Sequence, residues 1–147
     1  MNNFESQLIA LNESTDRLTK SAAECTFSGE GWAPAITIGH ISDVDTEVWM
    51  ARFELMVNAL RSGQAPPALA WWEPDGEKTA ATYADFSLDE SLAFLNKSRK
   101  SMAVFLKSLT EAERKAPAIH KTFGEITIES MLQVILNHDE EHRATFN

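Results

Sequence analysis

Apolar residues recur at alternating steps of three and four along four stretches of this 147-residue chain. That spacing lays side chains along one face of an α-helix. The first stretch runs from about Phe4 to Ala23, with Phe4, Leu8, Leu11, Thr15, Leu18 and Ala22 as its stripe. The second runs from Pro34 or Thr37 to Leu60, with Ile41, Val44, Val48, Ala51, Leu55 and Ala59 on one face. Pro34 suits a first helical turn and Gly63 a C-terminal stop. The third spans about Leu88 to Leu109 along Leu88, Leu92, Leu95, Met102, Phe105 and Leu109. Ser87 and Glu90 form a capping-box pattern at its start. The fourth begins near Thr127 and runs to the end, with Ile128, Met131, Ile135, His138 and His142 on one face. A few residues of "FGEITIES" also alternate as a strand would, but the pattern that follows is helical.

Only one connection is long: "SGQAPPALAWWEPDGEKTAATYADF", between the second and third helices. It carries the Pro-Pro and Trp-Trp pairs and a short helical candidate from Asp75 to Tyr83. One long connection and two shorter ones predict an all-α four-helix bundle with a crossover between helices 2 and 3. The length predicts a single domain over 1–147 with a full hydrophobic core. Few glycines and prolines, six and five, argue against an all-β chain with many turns.

The formal net charge of −9 sets nucleic acid and anionic membrane surfaces aside as partners. No stretch approaches the roughly 18 apolar residues of a membrane span, and no signal peptide is evident. With Cys25 as the lone cysteine, no internal disulfide forms, and a reducing, cytoplasmic setting is the simpler expectation.

The histidines carry the chemistry. At 100° per residue His138 and His142 stand about 40° apart and extend the stripe of Met131 and Ile135. An i, i+4 pair can place both imidazoles on one ion. The competing reading is that His142 and Arg143 complement the helix dipole at its C-terminus. Asp139, Glu140 and Glu141 have the wrong sign for that end, and a divalent cation would offset them. His40 borders the stripe of the second helix and can supply a third imidazole from across the bundle. Three histidines leave a fourth position open, as catalytic zinc sites do. Without a metal, His40 would hydrogen-bond Asp43. Asp43 and Glu47 are candidate outer-sphere acceptors for His40, or direct ligands. His120, in "APAIHKTFG", reads as a surface residue.

Trp71 and Trp72 either line a ligand pocket or, more simply, cover the open end of the bundle, while Trp32 and Trp49 read as core. Cys25 lacks a neighbouring base and reads as an inert or partly exposed thiol. Arg52 and Arg143 can hold an anionic substrate near a metal, but surface ion pairing is the simpler role. Asp85, Asp89 and Glu90 are assigned to capping and solvation.

Taken together, "GWAPAITIGHISDVDTEVW" and "TFGEITIESMLQVILNHDEEHR" resemble the DinB-like (DNA-damage-inducible) metalloprotein superfamily. "HISD" matches its first histidine motif, "HDEEH" its paired histidines, and "YADFSLDESLAFLNKSRKSMAVFLKSLTEAE" its third helix. The resemblance covers nearly the whole chain. It implies a four-helix bundle with an unusual crossover, often dimeric, with zinc or nickel on His40, His138 and His142. It also implies a thiol-dependent S-transferase or related Lewis-acid enzyme that uses a low-molecular-weight thiol. The alternatives are a non-catalytic homodimeric bundle that binds a metal or small ligand, and a dimerising scaffold whose histidines are satisfied by hydrogen bonds. The chain shown stops five residues after His142, short of many relatives, so the last helical turn must be held in place for His142 to bind. No residue identifies a substrate.

Overall fold

The computed structural model describes residues 3–146. Helix α1 spans Asn3–Glu24. Helix α2, Pro34–Val44, runs through a π-helical segment, Asp45–Met50, into α3, Ala51–Arg61. The crossover carries β1, Ala68–Leu69, and α4, Gly76–Tyr83, whose N-cap is Asp75. After α5, Leu88–Lys107, come the short α6, Glu111–Arg114, and the strands β2, Pro117–His120, and β3, Gly124–Thr127. Helix α7, Ile128–Arg143, closes the bundle. The end of the expected fourth helix at Asn147 lies outside the described residues.

Local signals explain the helix starts. Ser87 and Glu90 satisfy each other's backbone donors at α5, as their spacing predicts. Thr127 and Ser130 do the same at α7, with the Ser130 hydroxyl in place of the usual Glu or Gln. Helix α2 packs chiefly on α5, and α1 on α7. The strand-like "FGEITIES" is β3, which pairs antiparallel with β2, and β2 pairs parallel with β1 from the crossover. The small sheet therefore ties the crossover to the approach of α7.

The π-helical segment corrects the expected stripe of the second helix. A straight α-helix would carry Val48 on to Ala51 and Leu55. Ala51 is instead exposed and Leu55 is 54% accessible, while Phe53, Met56 and Val57 are buried. Bonding from i to i+5 widens the turn by one residue, so the inward step after Val48 lengthens to Phe53. Asp45, Val48 and Trp49 all face the interior as a result.

A polar layer crosses the core at one level of all four long helices. Two apolar clusters lie on either side of it: one contains Leu11, Val48, Met102 and Ile135, the other Leu18, Ile41 and Leu95. Between them, Arg99 donates from Nη1 and Nη2 to Asp139, both at 2.7 Å, and from Nε to Asp45 at 2.8 Å. Ser14 donates to Asp139 and Ser98 to Asp45. Burial works against the charge of Arg99, yet the two carboxylates outweigh it and raise its pKa. Burial raises the pKa of Asp45 against the pull of Arg99. The hydrophobic stripes have a gap here, at Ser98 and Arg99 on α5, which periodicity alone left unexplained.

Candidate metal centre

Three imidazoles meet where α2 faces α7. One ring nitrogen from each of His40, His138 and His142 lies within 4.8 Å of the others. The Nε2 atoms of His138 and His142 are 3.1 Å apart. A tetrahedral zinc with bonds of 2.0–2.1 Å separates its nitrogens by about 3.3 Å. The pair on α7 already has that spacing, and a small movement of His40 would complete the set. The donor set, three imidazoles with an open side, fits a divalent zinc-like ion.

Backbone and packing hold each ring in place. His40 is 4% exposed and is flanked by Trp32 at 5.2 Å and by Trp72, stacked at 6.5 Å. Trp49 meets His138 edge-on at 6.1 Å. Asp139, one residue after His138, anchors this part of α7 to Arg99. The last turn is held beyond His142: Thr145 donates from Oγ1 to the His142 carbonyl at 2.6 Å, and Phe146 packs on the core. Glu140 pairs with Arg17 and Arg143, so one of the three acids is used at the surface, and Glu141 stays exposed.

The electrostatics favour neutral rings. Burial lowers the pKa of His40 to about 4, with help from His142 and His138. Burial, then His142, lowers His138 to about 4. Burial also lowers His142, opposed by Asp139 and Glu141. A neutral imidazole is the form that binds metal.

The structure relocates several expected side chains. Asp43 accepts the Tyr83 hydroxyl at 2.6 Å through one carboxylate oxygen, which ties it to the crossover, and Glu47 is exposed. Tyr83 packs so closely over Gly39 that a Cβ at that position would lie 2.6 Å from its ring. His120 is buried at 4% exposure, because the small sheet that was not expected encloses it. Trp71 and Trp72 are 60% and 37% exposed and, with His40 and His138, line a cavity of about 660 Å³. Trp32 is only partly buried, Trp49 is core, and Cys25 is partly exposed as expected. Arg143 pairs with Glu140, whereas Arg52 donates to the Ala70 carbonyl at 2.6 Å and lies over Trp49. Sequence reasoning missed Asp45, Arg99 and Asp139 as one unit; the polar gap in the α5 stripe was the available signal.

Known proteins share this architecture. YfiT from Bacillus subtilis, described as a probable metal-dependent hydrolase with an unusual four-helix bundle topology, superposes with a TM-score of 0.73 at 20% identity, over 96% of this chain and 82% of that one. The mycothiol-dependent maleylpyruvate isomerase, in a variant form, gives 0.68 at 11% identity, over 98% of this chain but 60% of that one. An uncharacterised protein from Clostridium difficile 630 gives 0.66 at 15% identity, over 98% and 93%. At these identities the likeness concerns the fold. No curated protein sequence matches the chain. None of the described helices is long and apolar enough to cross a membrane. A family model described as the DinB superfamily matches residues 4–146, histidine motifs and crossover included, and the chain therefore belongs to that superfamily.

Proposed function

We propose that His40, His138 and His142 hold a divalent ion, zinc or nickel, and that the protein uses it in a thiol-transfer or related Lewis-acid reaction. The convergence of the three ring nitrogens within 4.8 Å beside a cavity of about 660 Å³ carries this reading. When bound, such an ion supplies Lewis acidity that favours the thiolate form of a low-molecular-weight thiol. The chain's own residues do the rest. Burial keeps the imidazoles unprotonated and ready to ligate. Asp139 and Arg99 hold α7 at the height of His138. Trp49 and Trp72 give the cavity apolar walls beside the rings, which limits water around a reacting thiol.

Elemental analysis of protein purified without chelators tests the centre. About one equivalent of metal is expected in the wild type, and near none in a His138→Ala, His142→Ala double variant. A metal-free wild type, unable to take up zinc or nickel on addition, would sink the reading. Metal-dependent turnover of electrophiles with small thiols separates the enzyme from a bundle that only binds metal. Thermal stabilisation without any turnover favours the latter.

A further inference from the structure

The cavity beside His40 and His138 is also lined by a cation, Arg52, that makes no ion pair with an acid among the described residues. Arg17, Arg61, Arg99 and Arg143 each pair with a carboxylate. Arg52 and Arg114 have no such partner among the described residues, in a chain with 22 acids against 13 bases. Arg114 lies over the Phe4 ring, and of the two it is Arg52 that lines the cavity. Its guanidinium donates to one backbone carbonyl and lies 5.9 Å from the centre of the Trp49 ring, which leaves several of its five donors unassigned. A partly buried guanidinium with unassigned donors facing a cavity can form charge-assisted hydrogen bonds to an arriving anion.

His120 lines the same cavity. Its Nδ1 accepts the backbone N–H groups of Thr122 and Phe123, at 3.0 and 3.3 Å. Those two donors leave the ring hydrogen on Nε2, so His120 is a neutral donor with a set tautomer. The remaining walls are largely aromatic and aliphatic, with Trp71 and Phe123 in contact at 6.1 Å. Two acids also reach the cavity: Glu73, which accepts the Trp71 indole, and the exposed Glu141 near His142. Glu141 discourages a ligand's negative charge beside His142, and Glu73 is engaged by the Trp71 indole. Arg52 is the cation among the lining residues that a negative group can meet.

We propose that this cavity binds an organic carboxylate with a flat apolar body, its carboxylate held by Arg52 and His120 and its other end directed along Trp49 toward His40 and His138 of the histidine cluster. Trp49 relates the two groups, since the centre of its ring lies 6.1 Å from that of His138 and 5.9 Å from the Arg52 guanidinium. As a substrate class this rests on the metal reading above; as a binding site it stands on the cavity alone. The carboxylate belongs either to the electrophile or to the thiol.

Calorimetric titration of chelator-treated and zinc-loaded protein tests it, with 3-phenylpropionate and its primary amide as one pair, and glutathione and its diamide as the other. At least one acid is expected to bind tenfold or more tightly than its amide, in both forms of the protein. Which acid does so identifies the source of the carboxylate. Arg52→Met keeps an apolar stem over Trp49 and should abolish that preference. His120→Asn retains an acceptor near the Nδ1 position and should weaken the acid about threefold, with zinc content unchanged in both variants. Equal binding of acid and amide by the wild type in both pairs overturns the proposal without recourse to any variant. A preference that survives in Arg52→Met, or vanishes when zinc is stripped, overturns it too, the latter by placing the carboxylate on the metal. Failure of zinc uptake with the acid preference intact overturns the metal reading alone.

Discussion

His40 and His138 are neutral at ordinary pH because the bundle interior cannot solvate an imidazolium well. In the unfolded chain each would take up a proton near its ordinary value of 6.5; in the folded protein that waits until about pH 4. Between those values the unfolded state holds more protons, so stability rises with pH across the window. The metal-free protein should therefore lose stability progressively as the pH falls from about 6.5 to about 4. Urea midpoints measured with chelator at several pH values check this, and a midpoint constant over that window would refute it. At this scale the sequence was informative about ligand identity, since residue type and helical spacing put His138 and His142 on one face. It was misleading about His120, whose burial depends on strands too short to show a pattern.

Among the elements, the second helix shows how one extra residue in a turn redirects a whole face. Phe53→Ala should cost about 3–5 kcal/mol, the usual range for emptying a buried aromatic site. Leu55→Lys should stay within about 0.5 kcal/mol because Leu55 is 54% exposed. A straight helix would reverse the two, so chemical denaturation of both variants checks the π-helical segment directly. The polar layer makes a second prediction. Arg99→Ala leaves two buried carboxylates facing each other and should destabilise by about 3–5 kcal/mol. Replacing Asp45, Arg99 and Asp139 together by apolar residues of similar volume should restore most of that loss, which is measurable in the same denaturation series. A triple variant as unstable as Arg99→Ala would count against the layer's being chiefly an electrostatic match.

In the molecule as a whole, the proposed ion would join α2 to α7, two helices far apart in sequence. Ligands held only by the folded form stabilise it by mass action, about 2.7 kcal/mol at a hundredfold excess over Kd. For a chain of this size that corresponds to a rise in Tm of about 5–10 °C. Differential scanning calorimetry with zinc and then with excess chelator should show this shift in the wild type and not in the His138→Ala, His142→Ala variant. The sheet joins the crossover to the same end of the bundle, with His120 in β2 and Trp71 and Trp72 just beyond β1, so the cavity draws on segments that no local pattern connects.

Periodicity and capping residues by themselves determined the four long helices, the one long crossover and the two histidine motifs, because these depend on contacts a few residues apart. Only the tertiary structure decided the π-helical shift, the Asp45–Arg99–Asp139 layer, the burial of His120 and the unpaired Arg52. Each of these depends on what faces a residue from another helix or strand. A buried charge in particular is intelligible only once its partner, or the lack of one, is in place.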